Sequence, residues 1–269
     1  MLKRIIVAAI YLPFFILVLF FLPTWCSAVL ASLLALVAAW ELLNNTGLVK
    51  GFPLWLSLAA SVCASPILWF GLPLAYAVLI YFAVTAVLFV YAMWHTEQFR
   101  FAQIGACLFA FLVIPVLFAI FPALARENAG KFLLVLPFLT AWSCDTFAYF
   151  TGMAIGKHKL IEHISAKKTV EGAIGGILGC ILSLVIYGLI IKFGFGLDPH
   201  FPALLLIGLF GSVISQIGDL SMSLIKRENH IKDYGIIMPG HGGILDRFDS
   251  VLFVLPVVWA VAHAFILIA

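Results

Sequence analysis

The sequence predicts an all-α fold, a polytopic transmembrane helical bundle of about nine spans with its amino terminus in the cytoplasm, and three observations carry that prediction. Hydrophobic residues make up 65% of the 269 positions. Charged residues make up 10%, against roughly 25% in an ordinary soluble domain. The apolar residues also fall in runs close to the roughly 20 that a helix needs to cross a bilayer. This arithmetic excludes a water-soluble enzyme and leaves no room for a separate soluble domain.

The elements follow in order. Met1-Leu2-Lys3-Arg4 and the apolar run behind it look like the start of a signal peptide, but the run is long and no small-x-small cleavage site follows Pro23. Ile5 to Leu22 is therefore expected to be a retained first span. The others are Trp25 to Leu43, Phe52 to Phe70, Leu72 to Trp94, Phe101 to Leu124, Phe132 to Met153, Val170 to Ile191, Phe201 to Ile225 and Leu245 to Ile268. Only Gly71-Leu72-Pro73 parts the third from the fourth. Residues 1–130 form an amino-terminal group of about five spans, and residues 131–269 a carboxyl-terminal group that carries the long inner loops.

Charge placement sets the orientation. With the amino terminus inside, the inner connections hold Lys3, Arg4, Lys50, Arg100, Lys157, Lys159, Lys167, Lys168, Lys226, Arg227, Lys232 and Arg247, which is 12 of the 15 basic residues. Arg126, Lys131 and Lys192 fall outside. This is the positive-inside pattern of a multi-pass protein of the cell membrane. A net charge of +3 is too small to argue for nucleic acid. Cys26, Cys63, Cys107, Cys144 and Cys180 lie in apolar stretches without a CxxC pair and read as packing residues rather than a disulfide or zinc framework. Gly172 with Gly176, and Gly175 with Gly179, suggest close packing of the seventh helix, a reading preferred over a homodimer face.

Two inner connections, Ala154 to Thr169 and Lys226 to Ile244, hold most of the polar residues, so the chemistry is expected on the cytoplasmic side. Carboxylates in or beside apolar helices are expensive and are functional candidates by default. Glu41 lies near an inner helix end beside Asn44 and Asn45, where solvation explains it. Asp145 sits deep in the sixth span with Tyr149 one turn on, and needs a cation or a polar cavity if ionised. Asp219 is followed at 4, 7 and 8 residues by Ser223, Lys226 and Arg227, nearly one helical face. Asp246 and Asp249 share a face at the start of the last helix. With Asp219 they could offer oxygen ligands to magnesium, a hard cation that also binds phosphate oxygens.

Glycines around His241 allow backbone N–H groups to approach an anion. Carboxylates, glycines and nearby cations are together the parts needed for phosphoryl transfer. Ser165 to Thr169 can cap or precede the seventh helix, whose amino-terminal dipole favours phosphate. Gly152-Met153-Ala154-Ile155-Gly156-Lys157-His158 is not a Walker A loop, being one residue short and carrying His where Ser or Thr is required. Attraction to anionic headgroups explains Lys157 and Lys159 as well as nucleotide binding does.

The hallmark Ser223-x-x-Lys226-Arg227, four residues, Lys232-Asp233-x-Gly235, then Pro239-x-His241-Gly242-Gly243-x-x-Asp246-Arg247-x-Asp249 spans 27 residues. It resembles the phosphatidate cytidylyltransferases, also called CDP-diacylglycerol synthases. Asp145 with Tyr149, Gly156-Lys157-His158-Lys159 and Lys167-Lys168-Thr169-x-Glu171-Gly172 are similar to the same family. Residues 1 to 130 match only in being helical and apolar. Ala166 stands where proline is common before the paired lysines, and Met238 where a branched or aromatic residue is usual; neither change removes a chemical group.

The resemblance implies transfer of CMP from CTP to phosphatidate, giving CDP-diacylglycerol and pyrophosphate. It implies catalytic roles for Asp219, Asp246, Lys226 and Arg227, and magnesium held by Asp219, Asp246 and Asp249, with a place for a second cation such as K+. Substrate contacts are implied for Asp145, Lys167, Lys168, Thr169, Glu171, Ser223, Lys232, Asp233, His241, Gly242, Gly243 and Arg247. The rivals are a CTP-dependent polyprenol or phytol kinase, which attacks the γ-phosphorus, and a cation-coupled transporter. A CDP-alcohol phosphotransferase lacks its longer aspartate motif here, and a purely structural membrane protein leaves the three aspartates without a purpose.

Overall fold

A computed structural model of the chain describes residue 17 and residues 21–237, 242–265 and 267–268. Most of the expected first span, Ile5 to Leu22, lies outside the described residues, as do Lys3, Arg4 and His241. Among the described residues, seven helices are long and apolar enough to cross a membrane. They are α1 (Trp25–Asn45), α2 (Phe52–Trp69), α3 (Leu74–Trp94), α4 (Phe101–Ala125), α5 (Gly130–Ile155), α6 (Val170–Phe195) and α7 (Phe201–Glu228). A further helix, α8, runs from Leu245 to Ala264. The bundle expected from composition is thus present, and each of these eight helices lies within a few residues of its expected bounds.

The chain divides into two compact units. The first holds the described residues up to Ala123 together with Glu228–Arg247, and the second holds Leu124–Arg227 with the residues from Phe248 onward. In the first unit, Ala28, Ala31, Ala35, Ala38 and Ala39 make a small-residue stripe on α1, all at most 6% exposed. Spaced by three and four, they share one helical face, and they let α2 and the Phe109–Val113 turn of α4 pack close. That turn is π-helical. It lies just before Pro115, which has no N–H for the carbonyl four residues earlier. Gly71, at φ +63°, breaks the chain between α2 and α3, and Pro73 follows at the start of α3, so the narrow separation expected at Gly71-Leu72-Pro73 is real. α3 itself is largely exposed, an apolar surface suited to acyl chains.

The second unit is built on the α5–α6 pair. Gly172, Gly176 and Gly179 face Ala148, Cys144 and Phe147, and a Cβ on any of them would come within 2.9 Å of that neighbour. The glycine spacing therefore serves packing within the chain, as expected. α6 continues this pattern against α7, where a Cβ on Gly208 would stand 2.9 Å from Ile181. On α7, a Cβ on Gly218 would stand 2.9 Å from both Phe253 and the Asp249 carbonyl of α8. Apart from an isolated bridge of Pro199 with Ile268, the one sheet among the described residues lies in the link from α5 to α6. It is an antiparallel hairpin of β1 (Lys159–Ile161) and β2 (Ser165–Thr169), with Lys159 opposite Thr169 and Ile161 opposite Ser165.

Candidate active site

A cavity of about 360 Å³ opens within the second unit, walled by α5, α6, α7 and the hairpin. Asp145 and Tyr149 line it from α5, Lys167 and Lys168 from β2, and Gln216 and Asp219 from α7. The deep aspartate of the sixth expected span thus has the polar cavity its charge requires. Lys168 Nζ forms an ion pair and hydrogen bond with Asp219 Oδ2. Ser223 Oγ lies 3.4 Å from Asp219 Oδ1, one turn further along α7, as the i, i+4 spacing predicts. Gln216 Nε2 donates to the Ala173 carbonyl at 3.2 Å, which fixes that amide against the wall.

Thr169 ends the hairpin and caps α6, its Oγ1 accepting from Gly172 N at 3.1 Å. The expected capping role is realised. Around this hydroxyl three glycines gather: a Cβ on Gly152, Gly156 or Gly172 would stand 2.9, 2.7 or 2.9 Å from Thr169 Oγ1. The Gly152 and Gly156 pair, which only superficially suggests a phosphate loop, has a packing cause. Glu171 turns away from the cavity. Its carboxylate accepts from Lys157 N at 3.1 Å and meets His158 Nδ1 at 2.6 Å, pinning the end of α5 to the start of α6.

Lys226 is buried and Arg227 exposed. Arg227 Nε reaches the Ile164 carbonyl in the hairpin turn at 3.4 Å. Asp249 Oδ1 accepts from Ser250 N at 2.7 Å. Asp145, Asp219 and Asp249 lie within electrostatic reach of one another, with Lys168 offsetting the field at Asp145 and Lys226 offsetting it at Asp249. Lys167, which also lines the cavity, brings to three the ammonium groups set among these three carboxylates.

The first unit contains the other half of the motif. Asp246, at the start of α8, accepts through Oδ2 from Tyr234 N at 2.7 Å and Gly243 N at 2.9 Å, holding these two amides together. Gly242 sits at φ +85°, where a Cβ would stand 2.8 Å from Asp246 Oδ2. Lys232, Asp233 and Arg247 are exposed. The division between units falls between Arg247 and Phe248, so Asp246 is described with the first unit and Asp249 with the second.

Glu41 is the residue that sequence reasoning misjudged. It is 0% exposed rather than solvated. Its carboxylate accepts from Ile244 N at 3.0 Å and Leu245 N at 2.8 Å. One turn on, Asn45 Nδ2 donates to the Tyr234 carbonyl at 2.7 Å. A signal existed. The stretch Gly243-Ile244-Leu245 offers α8 no Ser, Thr, Asp or Asn at its N-cap, and a buried carboxylate elsewhere needs donors.

The donor set suits a hard cation. Among the described residues, no three His, Cys, Asp or Glu side chains are gathered tightly enough to enclose a metal unaided. Magnesium, however, is commonly bound through one or two carboxylates, with water and substrate phosphates completing its shell. Asp219 and Asp145, two carboxylates on the wall of one cavity, fit that habit.

The sequence profile of the cytidylyltransferase family matches residues 2–265. The phosphatidate cytidylyltransferase of Bacillus subtilis (strain 168) is 41% identical over 170 residues, covering 63% of this chain and 62% of that protein. That of Staphylococcus haemolyticus is 39% identical over 174 residues, 65% of each. That of Staphylococcus epidermidis is 36% identical over 233 residues, 84% of this chain and 85% of that protein. The aligned stretch is thus under two thirds of the first two relatives' length and well over it for the third.

Proposed function

The chain belongs to the cytidylyltransferase family, and from that premise we propose that it transfers CMP from CTP to phosphatidate, forming CDP-diacylglycerol and pyrophosphate. The observation that carries this reading is the polar cavity in an otherwise apolar chain. It places Lys167 and Lys168 opposite Asp219 and Asp145 at the start of α6, where the cap residue and helix dipole also favour phosphate. A lipid phosphate oxygen attacks the α-phosphorus of CTP, and the bond from that phosphorus to the bridging oxygen breaks, so that pyrophosphate leaves. The attacking group is already an anion at neutral pH, so no strong general base is required. The barrier is chiefly repulsion between anions and charge gathering on the leaving group.

Lys167 and Lys168 draw the phosphates in, and Lys226, Arg227, Lys232 and Arg247 share their charge. Asp219 and Asp249 would hold magnesium, the motif alone gives Asp246 the same part, and the resemblance implies a second cation such as K+. Magnesium when bound withdraws electron density from the phosphates and the departing pyrophosphate. Asp145 and Gln216 shape the polar wall, while Ser223 and Thr169 position Asp219 and the start of α6. The site faces the cytoplasm, where CTP is found, and the lipid arrives from the inner leaflet with its acyl chains still in the bilayer.

Purified protein incubated with phosphatidate, CTP and magnesium should yield CDP-diacylglycerol, with labelled CTP releasing pyrophosphate. Release of CDP with a phosphorylated lipid alcohol would favour the kinase instead. Cation flux into liposomes without CTP turnover would favour a transporter.

A further inference from the structure

We propose that Glu41, in the first described helix, is a positioning residue for this reaction, acting at a distance of 203 residues along the chain through the backbone that leads into α8. The proposal rests on the transferase reading above and extends it to a residue outside the carboxyl-terminal motif.

The geometry is specific. Both carboxylate oxygens are used, Oε1 by Ile244 N and Oε2 by Leu245 N, so the group grips two successive amides at the start of α8. These are donors with no partner within their own helix, and the chain supplies Ile244 where a capping side chain would stand. The negative charge sits at the positive end of the helix dipole, in a fully buried place, where charge-assisted hydrogen bonds are strong. Two glycines of the motif are shaped around it. A Cβ on Gly235 would stand 2.3 Å from Glu41 Oε1, and one on Gly243 would stand 2.4 Å from both oxygens. Asn45 holds the same loop at the Tyr234 carbonyl, while Asp246 holds Tyr234 N and Gly243 N.

Glu41 therefore sets where the first turn of α8 begins, and with it the direction of the Asp246 side chain and the place of the backbone at Gly235 and at Gly243–Leu245. It touches no reacting atom; its effect passes through Ile244, Leu245 and the two glycines. Neutralising it with little change of shape should spare nucleotide affinity more than turnover, because a displaced carboxylate two residues away fails chiefly at the transition state.

The test uses the full chain in lipid nanodiscs containing phosphatidate, with Glu41→Gln as the first variant. Gly235→Ala is the second; it displaces the carboxylate without altering it and serves if Glu41→Gln does not fold. The expected result is a fall in kcat of about tenfold or more with KM for CTP changed by less than about threefold. Hydrogen–deuterium exchange should rise in peptides covering 234–247 while α7 keeps its protection. Wild-type kcat in either folded variant, or unchanged exchange at 234–247, overturns the proposal. Failure of the wild-type protein to make CDP-diacylglycerol would instead overturn the transferase reading, and the exchange measurement separates the two.

Discussion

Lys168 and Asp219, 51 residues apart in sequence, are ion-paired in the wall of the polar cavity. Their side chains are 27% and 24% exposed, so the pair is shielded more than a surface ion pair of little worth. Lys168 is also the ammonium that offsets the field at Asp145. Removing it leaves two carboxylates facing each other at the place proposed for phosphates. Lys168→Met should lower turnover about a hundredfold, a loss of about 3 kcal/mol in transition-state stabilisation, and Lys168→Arg should recover part of it. Steady-state kinetics on protein matched for folded content would check both.

Asp219 and Asp246 differ in what their carboxylates do, and their amide variants should differ accordingly. Asp219 meets Lys168 and Ser223 through side chains alone. Asp219→Asn should abolish turnover while the protein still inserts and keeps its thermal midpoint within about 2 °C, a shift of about 1 kcal/mol at this chain length. Asp246 accepts two backbone amides through one oxygen. Asp246→Asn should abolish turnover and also cost about 1–3 kcal/mol of stability, the penalty for a disturbed buried hydrogen bond. Normal activity in either variant would remove its proposed metal role.

Much of this architecture is legible in the sequence because the bilayer demands long apolar helices, and runs such as Leu74–Trp94 and Val170–Phe195 meet that demand without ambiguity. Asp145 and Asp219 stand out for the complementary reason, as charges that an apolar helix tolerates only beside a polar cavity. The hairpin is not legible: Lys159–Ile161 and Ser165–Thr169 are only 3 and 5 residues long, and their pairing depends on the ends of α5 and α6 being drawn together around Thr169. Glu41 is missed because its partners are amides 203 residues away, and the one signal, the uncapped start of α8, does not say which carboxylate supplies the cap. Gly243 is misleading in a related way. Its lack of a side chain suggests close approach of an anion, and an anion does lie there, but it is the protein's own carboxylate.

The glycine contacts of α5 and α6 should be among the least tolerant positions in the second unit. A Cβ on Gly179 would fall 2.0 Å from the Phe147 ring and one on Gly175 2.3 Å from Thr151 Oγ1. Each clash also reaches the neighbour's own Cβ, at 2.4 Å for Phe147 and 2.5 Å for Thr151, so turning a side chain relieves neither. Gly179→Ala and Gly175→Ala should therefore each destabilise by about 1–3 kcal/mol, as overpacking does. Thermal midpoints in detergent would check both, and a wild-type midpoint in either variant would contradict the packing described.

Lys167 lines the cavity beside Lys168 but is itself exposed, so its part in drawing CTP is expected to be long-range attraction. Such attraction is screened over about 10 Å at 0.1 M salt and reaches about 30 Å at 0.01 M. Lys167→Ala should accordingly raise KM for CTP several-fold at low ionic strength and little at high ionic strength, with kcat nearly constant, because the lost charge acts before the reacting groups meet. Measuring both parameters at two salt concentrations separates this from a direct phosphate contact, which would persist at high salt. An unchanged KM under both conditions would assign Lys167 to lipid headgroups rather than to the nucleotide.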